Sequence, residues 1–233
     1  MAGHPPIDDA TEALDLTVRG FLFCLRRVED QLSLAAPHLA GYGAFSVDWA
    51  SADVQRRISG GRKQLLAKAV GLHKKPDLKV FDGTAGLGRD SFTLAALGAE
   101  VTLAERNPVL VALLRDAHRR ALTQNLLLGA ASRLHIIQHD SAADFAAAQG
   151  HEVIYLDPMY PDDGKRALPS KEMQILRDLT GGDADADALL TGALQSGVSR
   201  IVVKRPSKAP WLAAIKPNLS MEGTQARFDI YLR

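Results

Sequence analysis

From Leu78 onward, short apolar segments alternate with longer amphipathic ones, and this alternation constrains the fold more than any other feature of the sequence. The apolar segments predict strands at 79–82, 100–105, 134–138, 152–156, 200–204 and 227–232. The segments between them predict helices at 89–97, 108–122, 141–148 and 184–196. Repeated strand–helix units imply an α/β fold, a mostly parallel sheet with helices on both faces. Ligands bind beyond the carboxyl ends of the strands in such sheets.

Residues 1–77 lack this alternation and predict a small N-terminal α+β extension to a domain that covers residues 78–233. Within the extension, 11–34 has helical character and 62–71 predicts a short helix. Residues 45–49 alternate between apolar and other side chains, as a short strand does.

The composition excludes several classes of protein. The chain has 233 residues, 46% of them hydrophobic, which suits one medium-sized domain with a small appendage. No apolar run approaches the roughly 18 residues of a membrane span, so no membrane partner is expected. Cys24 is the only cysteine and the histidines form no cluster, so no metal site is predicted. The N-terminus carries acids rather than the basic start of a signal peptide, which favours a cytoplasmic protein.

Basic residues are concentrated in two segments, although the net charge of the whole chain is only +1. Residues 54–75 contain seven basic side chains and no acid, and residues 198–221 contain five basic side chains and no acid. Local basic surfaces attract phosphates even when a chain is nearly neutral, so both segments are candidate nucleic-acid contacts. The alternative is that both segments carry ordinary solvated surface charge.

A glycine-rich turn follows the first strand of the α/β region. Gly83, Gly86 and Gly88 have the spacing G-x-x-G-x-G, which differs from the G-x-G-x-x-G of dinucleotide sites. Glycines let a backbone approach a ligand closely, and Asp82 precedes them at the strand end. This layout favours a ligand with an amino-acid end and no pyrophosphate, and it makes Asp82, Gly86 and Gly88 candidate contacts. A purely structural glycine turn is the alternative.

Acidic and hydroxyl side chains follow the next two strands. Glu105 ends the second strand, where a carboxylate can accept hydrogen bonds from both hydroxyls of a ribose. Asp140 and Ser141 follow the third strand and could receive an adenine amino group. They could equally cap the following helix, and Glu105 could be a solvated acid at a strand end.

The loop after the fourth strand reads Asp157-Pro158-Met159-Tyr160-Pro161. It resembles the acid-Pro-Pro-aromatic loop of amino-methyltransferases, with Met159 in the second proline position. An exocyclic base amine is a poor nucleophile because its lone pair is delocalised into the ring. Asp157 and the Pro158 carbonyl can accept its hydrogens, while Tyr160 can stack on the base. A proline-rich turn without a function is the alternative.

Taken together, these motifs closely resemble the bacterial ribosomal small-subunit methyltransferase J family, which makes N2-methylguanine in 16S ribosomal RNA. The resemblance covers most of the chain from Val47 onward. Besides the Asp157 loop and Glu105-Arg106, the resemblance rests on these motifs: Val47-Asp48-Trp49, Gly60-Gly61-Arg62, Lys68-Ala69-Val70-Gly71-Leu72, Thr84-Ala85-Gly86-Leu87-Gly88-Arg89-Asp90, Lys171-Glu172-Met173 and Val202-Val203-Lys204-Arg205-Pro206.

The resemblance implies a Rossmann-like class I methyltransferase that uses S-adenosylmethionine and acts on 16S ribosomal RNA or the small ribosomal subunit. It implies cofactor contacts at Arg89, Asp90, Glu105, Arg106, Asp140, Ser141 and Asp157. The catalytic residues expected are Asp157, Pro158 and Tyr160, with direct methyl transfer to guanine N2. The residues expected to hold the RNA backbone are Arg56, Arg57, Arg62, Lys63, Lys68, Lys204 and Arg205.

Three other functions remain open from the residues alone. The loop chemistry also permits an amino-methyltransferase that acts on DNA adenine or on a protein side chain. An NAD-dependent oxidoreductase would share Glu105, although the glycine spacing and the Asp157 loop disfavour it. A non-catalytic RNA-binding module on the same scaffold is disfavoured by the intact Asp157 and Glu105.

Overall fold

A computed structural model of the chain describes residues 6–7, 22–39, 43–159, 170–182, 185–224 and 226–233. The strands are β1 (Pro6–Ile7), β2 (Cys24–Val28), β3 (Gln31–Ala35), β4 (Lys79–Asp82), β5 (Glu100–Glu105), β6 (Leu134–Gln138), β7 (Val153–Leu156), β8 (Arg200–Pro206), β9 (Leu219–Glu222) and β10 (Ala226–Leu232). The helices are α1 (Ala52–Ser59), α2 (Leu65–Val70), α3 (Arg89–Ala96), α4 (Pro108–Leu122), α5 (Asn125–Ala131), α6 (Lys171–Thr180) and α7 (Ala186–Gln195).

Seven of the strands form one twisted sheet in the order β6-β5-β4-β7-β8-β10-β9. Neighbours from β6 to β8 pair in parallel, whereas β10 runs antiparallel to both β8 and β9. The chain builds outward from β4 to β6 and then returns to place β7 on the other side of β4. Ligand crevices form at such a reversal of strand order, so the sheet itself places the site between β4 and β7. The predicted mostly parallel α/β sheet is confirmed.

Helices cover both faces of the sheet because successive strand residues point to opposite faces. In β4, Val80 belongs to the larger core cluster and Phe81 to the smaller one on the other face. Helix α4 begins at Pro108 in the first helical position, and Asn107 caps it by accepting from the amides of Val109 and Leu110. These local signals are the reason that the start of α4 could be predicted from the sequence.

The helix predicted over 11–34 is wrong in the part that the structure describes, since 24–35 forms the β2–β3 hairpin. The hairpin is fixed by a contact that local periodicity cannot reveal. Asp116 of α4 accepts from the Leu32 amide at 3.0 Å and from Arg27 at 3.2 Å. Two other predicted elements are shorter in the structure than expected. The strand predicted at 45–49 is an isolated bridge between Phe45 and Leu34, and the helix at 141–148 is a 3-10 turn at Ala146–Ala148.

The described part of the N-terminal extension shares its core with the sheet. Trp49 is buried, donates from Nε1 to the Leu87 carbonyl at 3.1 Å, and stacks on Phe92 with ring centroids 4.8 Å apart. The extension therefore packs directly beneath the glycine-rich turn. Within the described ranges, no helix is long and apolar enough to cross a membrane. The functional division at residue 77 remains a prediction.

Candidate active site

One pocket of about 290 Å³ opens at the carboxyl ends of the parallel strands. Every predicted cofactor contact except Gly88 lines it: Asp82, Gly86, Arg89, Asp90, Glu105, Arg106, Asp140, Ser141 and Asp157. The motifs that follow four different strands are thus brought together at one place. Other residues line the same pocket without having been predicted to do so, among them Thr84, Tyr155, Met159 and Met173.

The glycines of the turn do two different things. Gly86 has a φ of 55°, and a Cβ there would meet nothing nearer than the Thr84 carbonyl at 3.9 Å, so the backbone is open to a ligand. Gly88 has a φ of 68°, and a Cβ there would lie 3.0–3.1 Å from Leu114, Leu103 and Trp49. Gly88 therefore permits close packing of α3 and lies outside the pocket lining.

Glu105 links the end of β5 to the glycine-rich turn. Its Oε2 accepts from the Gly86 amide at 2.9 Å, and its Oε1 accepts from the Asn107 amide at 2.8 Å. Carboxylate oxygens have two lone pairs each, so a glutamate at this position can accept from hydroxyls as well as from amides. The side chain is buried, which strengthens any hydrogen bond it makes.

Ser141 carries a buried hydroxyl that lacks a hydrogen-bond partner among the described residues. Buried polar atoms are nearly always paired in native proteins, so an orphan that lines a pocket indicates a ligand contact. The adjacent Asp140 is exposed, and its Oδ1 accepts from the Ala142 amide at 3.0 Å. Asp140 therefore closes a local turn, and the next helical turn begins only at Ala146.

Asp82 lies at the inner wall of the pocket. Its Oδ1 accepts from the Thr84 amide at 3.1 Å and its Oδ2 accepts from the Ser91 hydroxyl. Burial raises the pKa of Asp82 to about 7. A direct cofactor contact by Asp82 remains a prediction, and the geometry shows it holding the glycine-rich turn against α3.

A cluster of charged side chains also lines the pocket. Lys204 of β8 donates from Nζ to Asp90 Oδ2 at 2.8 Å and to Asp157 Oδ2 at 2.7 Å. Asp90 also accepts from the Tyr155 hydroxyl at 2.6 Å and from Arg57 Nη1 at 3.0 Å. We refer to Arg57, Asp90, Tyr155, Asp157 and Lys204 as the acid–lysine cluster. It joins α1, α3, β7 and β8 at the point where the predicted amine-binding loop begins.

The charges of the acid–lysine cluster are strongly interdependent. Burial raises the pKa of Asp157, Lys204 opposes that rise, and the neighbouring Asp90 carboxylate adds to it. Burial would also raise the pKa of Asp90, but Lys204, Tyr155 and Arg57 outweigh it and lower that pKa. Burial works against the charge of Lys204, yet the two carboxylates raise its pKa well above the ordinary value. Lys204 is therefore a permanently charged ammonium held between two acids.

Helix α6 forms a third wall that was not predicted as a helix. Met173, Leu176 and Thr180 line the pocket from it. Two ion pairs hold the region in place: Arg89 with Glu172 at 2.5 Å, and Arg106 with Asp185 at 2.6 Å. The sequence did contain end signals for α6, namely Ser170 before it and Gly181 after it.

The predicted RNA contacts have diverse surroundings. Arg56 and Lys63 are exposed and Lys68 is half-buried. Arg62 donates from Nε to the Leu97 carbonyl at 2.8 Å, and the buried Arg205 donates to the Pro210 carbonyl at 3.0 Å. Arg57 and Lys204 line the pocket instead of an outer surface.

In the predicted amine-binding loop, Pro158 is buried, and Tyr160 lies outside the described residues. Among the described residues, no group of three or more His, Cys, Asp or Glu side chains is arranged to hold a metal ion.

Comparison with known proteins identifies the family. A family model described as a putative S-adenosylmethionine-dependent methyltransferase matches residues 12–233. A ribosomal RNA small subunit methyltransferase J from Vibrio vulnificus is 46% identical over 203 residues, which covers 82% of this chain and 78% of the relative. The Pseudomonas aeruginosa protein of the same name is 47% identical over 187 residues, covering 79% and 71%. The chain belongs to the methyltransferase J family.

A solved structure agrees with this assignment. The crystal structure of an S-adenosylmethionine-dependent methyltransferase from Neisseria gonorrhoeae aligns with a TM-score of 0.72 at 33% identity. The alignment covers 97% of this chain and 93% of the other. The class I methyltransferase fold and the enzyme class predicted from the sequence are confirmed.

Family membership makes S-adenosylmethionine the cofactor, and the residues of the pocket fit it. The buried Glu105 carboxylate would suit the hydroxyls of a ribose. An adenine needs a polar partner at the end of β6, and the unpaired Ser141 hydroxyl is there. The open backbone at Gly86 leaves room for close approach of a ligand.

Proposed function

We propose that this chain transfers a methyl group from S-adenosylmethionine to the exocyclic N2 of a guanine in 16S ribosomal RNA. The single observation that carries the proposal is the position of Asp157, whose carboxylate borders the cofactor pocket and is 38% exposed toward it. The names of the relatives support ribosomal RNA of the small subunit as the substrate. The partner is then 16S ribosomal RNA or the small subunit itself, and the compartment is the cytoplasm, where that RNA is found.

The cofactor, when bound, supplies a methyl group on a sulfonium, whose bonding electrons return to sulfur as the carbon is transferred. Asp157 accepts a hydrogen bond from the guanine amine and so directs the nitrogen lone pair toward that carbon. As the new N–C bond forms, the amine loses one proton, and Asp157 accepts it before solvent removes it. The Pro158 carbonyl and Tyr160 complete the arrangement by accepting the second hydrogen and stacking on the base.

In this proposal, different residues of the pocket bind different parts of the cofactor. Glu105 receives the ribose hydroxyls, and Asp140 with Ser141 receives the adenine. Arg89 and Arg106 hold α6 and the segment after it across the pocket, which excludes water from the reacting groups. Exposed Arg56 and Lys63, with Lys68, contact RNA phosphates outside the pocket.

The decisive experiment is nucleoside mass spectrometry of ribosomal RNA from small subunits incubated with the purified chain and S-adenosylmethionine. The subunits must come from cells that lack this protein. We expect one additional N2-methylguanosine. Methylated adenine, or methyl groups on ribosomal protein only, would contradict the proposed substrate and favour one of the alternatives left open above.

Asp157→Ala serves as the catalytic control in that experiment. Loss of a charge-assisted acceptor should cost about 2.7–4 kcal/mol, or a factor of roughly 10²–10³ in the methylation rate. The variant should keep its melting temperature within a few degrees, since Asp157 lies at the pocket rather than in the core. Turnover near that of the wild type would show that Asp157 does not orient the amine.

A further inference from the structure

Lys204 contacts one of the two carboxylate oxygens of Asp157 and not the other. Its ammonium lies 2.7 Å from Asp157 Oδ2, while no hydrogen bond reaches Oδ1 from the residues that the structure describes. Lys204 is only 24% exposed, and its second partner is Asp90 rather than solvent. The Oδ2 atom of Asp157 is thus bound to Lys204, and the Oδ1 atom is left for a substrate.

We propose that Lys204 is a positioning residue that holds Asp157 ionised and aims its Oδ1 at the substrate amine. This inference rests on the proposed role of Asp157, and it replaces the RNA-backbone contact that the sequence suggested for Lys204. The register of the sheet accounts for the contact. Leu156 pairs with Val203 in parallel strands, so the next residues, Asp157 and Lys204, emerge side by side at the carboxyl edge.

The charges around Asp157 show why a cation is needed there. Two carboxylates face it, Asp90 from α3 and Asp82 from β4, and the neutral Tyr155 phenol lies on its own strand. A second cation, Arg57 of α1, also lowers the pKa of Asp157, but its hydrogen bonds go to Asp90 and Asp53. Without Lys204, Asp157 would face Asp90 with no ammonium between them, and like charges at close range favour protonation.

Loss of Lys204 should shift the pH dependence of the methylation rate in one direction. Removing Lys204 raises the pKa of Asp157, because its ionised form loses a favourable partner. A protonated Asp157 cannot accept the amine proton, so activity requires the ionised form. The acidic limb of the rate profile should therefore move to higher pH. When the pH lies well below the pKa of a carboxyl, a pKa higher by one lowers its ionised fraction about tenfold.

The test compares Lys204→Met with Lys204→Arg and with Lys79→Met as the matched control. Lys79 is an exposed lysine at the amino end of β4, on the opposite edge of the sheet from the pocket. Single-turnover methylation of small subunits would be measured from pH 5.5 to 9, together with RNA affinity, cofactor affinity by calorimetry and melting temperature.

We expect Lys204→Met to move the acidic limb upward by about one pH unit or more, so that the step slows at least about tenfold at pH values on that limb. RNA and cofactor affinities should stay close to those of the wild type, since the Lys204 ammonium donates to Asp90 and Asp157 within the protein. Lys204→Arg should restore the position of the limb in part, because it keeps the charge. Lys79→Met should match the wild type.

Two results would overturn the proposal. One is an acidic limb that stays in place in Lys204→Met. The other is loss of RNA affinity with a shallower salt dependence and an unchanged single-turnover rate, which would make Lys204 a phosphate contact. If Lys204→Met does not fold, Asp90→Asn with Lys204→Met removes the opposing charge and should return the limb toward the wild-type position; a limb that stays displaced would contradict the charge argument.

The two proposals can fail separately. The identity of the methylated nucleoside, measured on the wild type, tests the substrate. The ratio of variant to wild-type rates, measured on whichever product forms, tests Lys204.

Discussion

Glu105 shows how one side chain can serve both the protein and a ligand. Each of its oxygens already accepts from a backbone amide, so Glu105→Ala removes the ribose acceptor and also releases the Gly86 amide. Hydrogen bonds to charged groups are worth about 1.5–3 kcal/mol, so we expect cofactor affinity to fall roughly 10- to 100-fold. RNA affinity should be unchanged.

Calorimetry with S-adenosylmethionine measures the loss in Glu105→Ala. Glu100→Ala is the matched control, because Glu100 is an exposed glutamate at the amino end of the same strand. Equal cofactor affinity in both variants would mean that another residue receives the ribose.

The raised pKa of Asp82 predicts that the free energy of unfolding depends on pH. Its ordinary pKa of 3.8 is raised to about 7 by burial, so the folded protein binds the proton more tightly than the unfolded chain does. Folding is therefore favoured by Asp82 below about pH 4, and this contribution is lost as the pH rises to 7. Through one titrating group, the free energy of unfolding can change by at most about 1.4 kcal/mol per pH unit.

Asp82→Asn removes this titration while keeping an acceptor for the Thr84 amide. Urea unfolding from pH 4.5 to 8 should show the variant gaining stability relative to the wild type as the pH rises. Asp77→Asn, at an exposed aspartate, should give a curve parallel to the wild type. A parallel curve for Asp82→Asn as well would rule out the raised pKa.

Residues at strand ends were predictable from the sequence, because parallel strands place their carboxyl ends at one edge. Asp82, Glu105 and Asp157 are predicted in this way, and all three line the pocket. Lys204 and Arg57 are predicted RNA contacts because both lie in basic runs, and a run of charge does not reveal which of its members line a pocket. Their contacts depend on sheet register and on the docking of α1, which only the folded chain provides.

At the scale of elements, α6 is the wall that closes the pocket over the glycine-rich turn. Its first turn is held by the ion pair between Glu172 and Arg89, both partly exposed. Partly exposed pairs contribute up to about 1 kcal/mol, so Glu172→Gln should weaken cofactor binding by a factor of roughly two to five. The change should appear mainly as faster dissociation, because the contact is made only when the wall is in place.

Stopped-flow measurement of cofactor release distinguishes this effect from a general loss of helix stability. Asp178→Asn is the control on the same helix, since Asp178 pairs with His38 of the N-terminal segment rather than with the turn. Equal dissociation rates in Glu172→Gln and the wild type would show that α6 does not retain the cofactor.

The predictable elements are those whose signals are local. The core strands β4, β5 and β6 and helix α4 have the bounds expected from apolar periodicity and from Pro108. The β2–β3 hairpin was missed because Asp116, 84 residues beyond Leu32, stabilises it from another element. The edge strand β9 was missed because its side chains are mostly exposed, so it lacks an apolar pattern.

At the scale of the whole molecule, the N-terminal region joins the proposed RNA surface to the candidate catalytic pocket. Trp49 anchors it beneath the glycine-rich turn, and Arg57 reaches from α1 into the acid–lysine cluster. The same short helix places Arg56 on the exposed side. A segment that contacts RNA on one face and Asp90 on the other could align the bound RNA with the pocket.

The basic run provides the last prediction, and the structure decides which of its members to change. Arg62 is bonded to the Leu97 carbonyl and Arg57 to Asp90, so replacing either would disturb the fold or the pocket. Arg56→Ala with Lys63→Ala removes two exposed cations instead, and Asp53, the partner of Arg56, keeps its ion pair with Arg57. If both contact phosphates, the slope of log affinity against log salt should become shallower by roughly 0.7–0.9 for each contact.

RNA affinity of the Arg56→Ala, Lys63→Ala variant would be measured at several salt concentrations, with cofactor affinity expected to be unchanged. Lys79→Ala with Arg115→Ala is the matched control, because it removes two exposed cations elsewhere and changes the net charge equally. A shallower slope in the first variant alone identifies a phosphate-binding face on the N-terminal region. Equal slopes in both variants would mean that the run is solvated surface charge, and the RNA would then have to bind through another face of the molecule.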